Sequence, residues 1–195
     1  MKLEFRRLKE NEIECRIGTI KKDGSGLSLL LYKDARCDMN ILDETVGATN
    51  WKKKYDLIDG QLFCTIEIYD EDKNEWVGKQ DVGTESNTEA EKGRASDAQK
   101  RSAFAWGIGR ELYTAPFIWI TAENANIKQF RDKWSCTDKF TVEKISYKDN
   151  GDIDGLSIIN EKLGKRVFVK KPEIKKTGDP IKDAKAAMKQ QFGGK

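Results

Sequence analysis

The chain has 195 residues, with 36 Lys+Arg against 33 Asp+Glu, no His, four Cys and five Trp. That length suits one globular domain plus a tail, and 37% hydrophobic with 9% aromatic residues argues against full disorder. Without histidine there is no Ser-His-Asp triad, no Cys-His couple, no His-ligated zinc and no His general base.

Met1 to Glu14 mixes charges with single apolar residues and does not read as a signal peptide. Glu14–Lys21 and Leu27–Tyr32 are short β-like runs joined by Lys22–Gly26, a predicted hairpin. Asp34 caps a helix whose face is Ala35, Met39, Leu42 and Val46, ended by Gly47. Then comes Thr49-Asn50-Trp51-Lys52-Lys53-Lys54-Tyr55, cations bracketed by aromatics. Gln61–Tyr69 alternates strictly and reads as a strand; a turn at Asp70–Asn74 leads to a second strand, Glu75–Val82. A long helix is predicted from about Thr88 to Leu112, with capping boxes Ser86-x-x-Glu89 and Thr88-x-x-Glu91 at its start. An apolar run at Phe117–Ile120 precedes a short helix carrying Ile127, Phe130 and Trp134. A β section follows at Lys139–Tyr147, Ile153–Asn160 and Arg166–Val169, with a turn at Asp149–Asp152. From Pro172 apolar content collapses into a tail with one weakly amphipathic stretch, Ile181–Phe192. There is no internal repeat.

Cys15, Cys37, Cys64 and Cys136 are 22, 27 and 72 positions apart, so no C-x-x-C pair suggests a zinc ribbon or a redox site. They read as buried small hydrophobes in a reduced, intracellular protein, and no apolar run approaches the ~20 residues that span a bilayer. Formal net charge is +3, but Lys170–Lys195 holds eight Lys against Glu173, Asp179 and Asp183, leaving the rest slightly acidic. A nucleic-acid binder with such a body needs a concentrated basic site.

The informative segment is Glu91–Arg110. At 100° per residue Ala95, Ala98, Ser102, Ala105, Trp106 and Gly109 share one arc, a stripe of mostly small residues suited to lying close on a β-sheet. Arg94 and Arg101 project at its border and Lys100 points away. From spacing alone Lys100 and Arg101 read either as solvated charges or as a binding site. Trp51 reads either as core or as a stacking platform, whereas Lys52–Lys54 suit phosphates.

Ser96-Asp97-Ala98-Gln99-Lys100-Arg101-Ser102-Ala103-x-x-Trp106-Gly107-Ile108-Gly109-Arg110 resembles the signature helix of the Rad fifty-two family of single-strand annealing proteins, closest to its phage members of Sak type. Asp81-Val82-Gly83 upstream is similar to the family's hairpin ending, and Asn40–Gly47 followed by Asn50-Trp51 to its first helix and Gly-x-x-x-Trp ending. The match covers roughly Glu14 to Pro116, with motifs in the family's order.

The resemblance implies an α+β fold: β-hairpin, helix, antiparallel β-meander and a long helix packed on the sheet, here with an extra C-terminal β section. The expected organisation is an annealing domain over 1–171 (core about 14–116, C-terminal β section about 137–171) and a basic, flexible tail over 172–195. The implied function is ATP-independent binding and annealing of single-stranded DNA in homologous recombination and DNA repair, by a phage-encoded homo-oligomer, a ring or a helical filament. It needs no cofactor, works in the cytoplasm of a bacterial host and has no membrane partner. Its partners are single-stranded DNA, the annealed duplex intermediate and a host or phage single-strand-binding protein or exonuclease. The family's inner Lys-Arg pair maps onto Lys100 and Arg101. The family's third helix cation is Phe104 here, its first-helix Arg aligns with Cys37, and the Tyr after the helix-ending Gly is Ala48. Arg36, Lys52, Lys53, Lys54, Lys79, Arg94 and Arg110 are the remaining candidate contacts.

Two other classes stay open. A protein-interaction module of a recombination complex fits the low charge of the body. A metal-dependent nuclease of PD-(D/E)xK kind rests on Asp59 with Glu71-Asp72-Lys73, although that Glu-x-Lys falls in a predicted turn. No Gly-x-x-x-x-Gly-Lys-Ser/Thr loop is present, which sets aside ATP-driven strand exchange.

Overall fold

The structure is a computed structural model and describes residues 3–84 and 90–173. The capping boxes at Ser86 and Thr88 and the tail stretch Ile181–Phe192 lie outside the described residues. The described residues fall into two compact units, one of residues 3–13 with 32–84 and 90–113, the other of residues 14–31 with 114–173.

In the first unit, helix α1 (Ala35–Val46) starts where the Asp34 carboxylate accepts from the Arg36 N–H at 2.7 Å. It ends at Gly47, φ 84°, and buries Cys37, Ile41 and Leu42. The meander that follows is β3 (Trp51–Ile58), β4 (Gln61–Asp70) and β5 (Glu75–Val82), all antiparallel. The cationic segment at Lys52–Lys54 is therefore a strand, paired with β4 from Trp51↔Ile68 to Ile58↔Gln61. Its two-residue turn, Asp59-Gly60, has φ of 49° and 75°, the twist that a type I′ hairpin needs. On β4, Cys64, Ile66 and Ile68 are buried beneath helix α2 (Ala90–Trp106).

The small-residue stripe lies on the sheet as its composition requires. Ala98 and Ser102 are fully buried. The Ser102 hydroxyl accepts from the Ile66 N–H (3.1 Å) and donates to the Lys79 carbonyl (2.8 Å), while the Trp106 indole donates to the Ile66 carbonyl (2.9 Å). Gly83 meets the helix backbone so closely that a Cβ there would overlap the Arg94 carbonyl oxygen. The helix stops at Trp106 rather than Leu112 because Gly107 is left-handed, φ 109°. Its N–H reaches the Phe104 carbonyl and that of Ile108 the Ala103 carbonyl, a Schellman ending.

In the second unit a six-stranded sheet has the order β11-β10-β9-β1-β2-β6. Its strands are β1 (Glu14–Ile20), β2 (Gly26–Tyr32), β6 (Ile118–Thr121), β9 (Phe140–Tyr147), β10 (Ile153–Asn160) and β11 (Lys165–Lys170). The N-terminal hairpin is thus part of the same sheet as the C-terminal β section. The expected short helix at Ile127, Phe130 and Trp134 is instead a hairpin, β7 (Ile127–Phe130) and β8 (Lys133–Cys136). Arg131, at φ 53°, turns the chain there, and Trp134 packs on Gly24 while its indole donates to the Lys22 carbonyl at 2.9 Å. The observed fold is α+β with mainly antiparallel sheets, and among the described residues no helix is long and apolar enough to cross a membrane. All four cysteines are free; burial pushes the Cys15 and Cys37 thiols up to about 12 and Cys64 up to about 11, so they are weak nucleophiles.

Candidate nucleic-acid interface

All nine candidate cations lie in the first unit, and the fold sorts them into groups. The pleat decides the first division. Lys53 pairs with Ile66, whose side chain is under the helix, whereas Lys52 pairs with Glu67 and Lys54 with Thr65 on the opposite face. Three consecutive lysines therefore do not act as a block.

Three of the candidates come together where β3, the start of α1 and the middle of α2 meet. Gln99, buried on α2, is the hub. Its amide N–H donates to the Ala35 carbonyl (2.8 Å), and its amide oxygen accepts from the Lys53 ammonium (2.7 Å) and the Tyr55 hydroxyl (3.4 Å). Arg36 follows Ala35 and holds Asp34 through its guanidinium at 3.0 and 3.1 Å. Lys100 follows Gln99 on α2; its charge helps to lower both Asp34 and Asp38, yet among the described residues it has no hydrogen bond or ion pair of its own. Beneath this group lies an ion pair that no sequence signal revealed, Lys33 with Asp38, both buried. The stem of Lys33 fills the space a Cβ on Gly109 would need. Burial pushes the Asp38 carboxyl up to about 6 against the pull of Lys33, and its Oδ2 has no partner among the described residues.

The other cations are elsewhere in the unit. Arg101 binds Asp81 on β5 at 3.1 Å, so the Lys-Arg pair of the helix diverges, Lys100 toward α1 and Arg101 toward β5. Arg94 donates to the Gly60 carbonyl in the β3–β4 turn at 3.3 Å. Lys79 and Arg110 both donate to the Ala105 carbonyl, at 3.0 and 2.8 Å, and Arg110 also to Phe104. These two satisfy the last carbonyls of α2 and lie over Trp106 and Phe104 respectively, which is a helix-capping task.

The partners matter chemically. Exposed ion pairs such as Arg36–Asp34 and Arg101–Asp81 contribute about 0–1 kcal/mol each, so a phosphate can take over the cation at little cost. Lys100 has no such partner to give up among the described residues. Among the described residues the arrangement offers cations suited to sequence-independent phosphate contacts. The nuclease alternative fails on geometry: Asp59 and Glu71-Asp72-Lys73 sit in turns at opposite ends of the ten-residue β4, roughly 30 Å apart.

No known family profile matches the chain, and no solved structure does. Two curated relatives are similar to it. One is the "Single-stranded DNA-binding protein DdrA" of Deinococcus deserti, 33% identical over 110 residues, 55% of this chain and 53% of the relative. The other is the protein of the same name from Deinococcus radiodurans, 33% identical over 101 residues, 50% of this chain and 46% of the relative. The chain spans about half the length of the curated relatives it matches. Both relatives are named for binding single-stranded DNA.

Proposed function

We propose that this protein binds single-stranded DNA through the cations around Gln99 and anneals complementary strands without ATP, as a Rad fifty-two-type protein of Sak kind acting in recombination and repair. The observation that carries the reading is that Gln99 ties Lys53 to the start of α1, where Arg36 and Lys100 both act on Asp34, with Lys100 in no hydrogen bond or ion pair among the described residues. The two similar proteins named for single-stranded DNA binding support it. Arg101 extends the site toward β5 once a phosphate displaces Asp81. One copy offers few phosphate contacts, so the working form is a homo-oligomer, a ring or filament in which repeated sites multiply affinity through effective concentration. Strands held by phosphates keep their bases available for pairing. In this reading the protein is phage-encoded and works in the cytoplasm of the host.

The test is annealing of two complementary oligonucleotides without ATP, comparing the wild type with Lys100→Ala/Arg101→Ala. Circular dichroism and light scattering check fold and assembly of both. The wild type anneals, and the folded, assembled variant loses at least about tenfold in affinity at moderate salt, with a shallower salt dependence by about 1.4 in slope for two phosphate contacts. An unchanged variant removes the site; a wild type that does not bind single strands at low salt removes the function.

A further inference from the structure

The helix covers one face of the β3–β4–β5 sheet; the other face carries side chains that the proposed site does not use. Lys52 and Lys54 on β3, Glu67 and Tyr69 on β4, and Trp76 and Gly78 on β5 share it, as the register pairs Lys52↔Glu67↔Gly78 and Tyr69↔Trp76 dictate. We infer that this outward face is a second single-strand surface, on which a base stacks on Trp76 while Lys52 and Lys54 take the flanking phosphates.

Several observations converge on it. Trp76 is 41% exposed although it is the largest kind of side chain, and its other neighbour is the tilted ring of Tyr69, with centroids 5.4 Å apart. Lys52 reaches across β4 to place its ammonium 4.0 Å above the Trp76 ring, so the ring already holds a cation that a base can displace. Lys52 and Lys54 share one carboxylate, Glu67, at 3.2 and 3.7 Å, which leaves the trio with a net positive charge. On this face the strand has only Gly78 between Trp76 and Gln80, where a Cβ would stand 3.2 Å from both Glu67 Cγ and Thr65 Cγ2. With no side chain at Gly78, the Glu67 and Thr65 side chains close in over the strand beside the ring. A lysine-bearing face on which the exposed Trp76 ring lies beside Tyr69 suits a stacked base and its phosphates; the buried centre of a protein interface is instead depleted of lysine.

The inference rests on the reading of this protein as a single-strand binder and adds to it that one three-stranded sheet presents a strand surface on each side. The experiment is photo-crosslinking of the full chain to a thymidine oligonucleotide carrying 5-iodouracil, with the crosslinked peptide mapped by mass spectrometry. Binding isotherms follow for Trp76→Ala, Trp76→Phe and Lys52→Ala/Lys54→Ala. The expected result is a crosslink at Trp76, about tenfold weaker binding for Trp76→Ala with recovery in Trp76→Phe, and a salt slope reduced by about 1.4 in the double lysine variant. If the wild type binds, Lys100→Ala/Arg101→Ala weakens it, yet no crosslink reaches Trp76 and the outward-face variants bind as wild type, the inference is overturned and the proposed site stands. If only the outward-face variants lose binding, the inference holds and the helix-side site falls. A wild type that captures no oligonucleotide overturns both. The wild-type crosslink decides even if Trp76→Ala misfolds.

Discussion

Gly83→Ala isolates the contact that holds α2 on its sheet. Gly83 is buried at the end of β5, and its N–H donates to the Leu62 carbonyl at 2.9 Å, so the strand cannot simply swing away. A methyl group there overlaps the Arg94 carbonyl oxygen and stands 2.9 Å from both Ala98 Cβ and Ala98 N. Relief requires the helix to retreat by roughly 1 Å, since carbon contacts relax only near 3.5 Å. That retreat pulls Ser102 off Ile66 and Lys79, now bonded at 3.1 and 2.8 Å. Overpacking of this kind destabilises by about 1–3 kcal/mol, and a stretched buried hydrogen bond adds about 1 kcal/mol. A total near 3 kcal/mol corresponds to about 100-fold faster amide exchange in α2, β4 and β5. Hydrogen exchange read peptide by peptide is the right assay, because a two-unit chain has no single unfolding free energy. Adding Ala98→Gly does not rescue the variant, because the worst overlap is with a backbone oxygen. Exchange in α2 within threefold of wild type would refute the reasoning, as would rescue by Ala98→Gly.

Stability of α1 depends on pH through Asp38. Its native carboxyl is raised to about 6 from an ordinary value of 3.8, so the folded protein binds more protons than the unfolded chain between those values. The resulting stabilisation is full below about pH 4 and is lost as pH rises through about 6; exchange protection of α1, corrected for intrinsic rates, should fall over that window and Asp38→Asn should flatten it. A slope unchanged in Asp38→Asn would assign the dependence to other groups. Ser102→Ala strips the hydroxyl that bridges Ile66 and Lys79 and leaves a buried N–H unpaired, with an expected loss of about 1–3 kcal/mol seen as faster exchange in β4; an unchanged rate would mean the two strands close the gap themselves.

Much of the fold was legible where one period dominates. Gln61–Tyr69 alternates and is β4, and Asp34 with Gly47 brackets α1 as cap and stop. β3 carries no alternating strand pattern, because three of its residues in a row are lysines; its signal lies in the Asp59-Gly60 turn that follows. Ile127, Phe130 and Trp134 mimic helical spacing, but four-residue strands around Arg131 give the same interval. At the site, adjacency in sequence misled twice. Lys52, Lys53 and Lys54 alternate across a sheet, and Lys100 and Arg101 part toward different elements. The Lys33–Asp38 pair is buried by tertiary packing, for which two charged residues in sequence carry no pattern. The pairing of β1 with β9 is likewise long-range, and local periodicity says nothing of it.

That last pairing also sets an order of events. Glu14 meets Thr141, so the β1 edge of the hairpin made first by the ribosome has no strand to join until β9 has been made, although its β2 edge can take up β6 earlier. At about 5–20 residues per second, the wait is roughly 6–25 s. The first unit ends at Tyr113, so all of its described residues have been made before that interval is over. The β1–β2 hairpin, whose Leu27 and Leu29 end fully or nearly fully buried, meanwhile exposes them. Nascent copies close together on one messenger are then exposed to strand exchange through this hairpin, a hazard set by the timing of synthesis rather than by the stability of the finished protein.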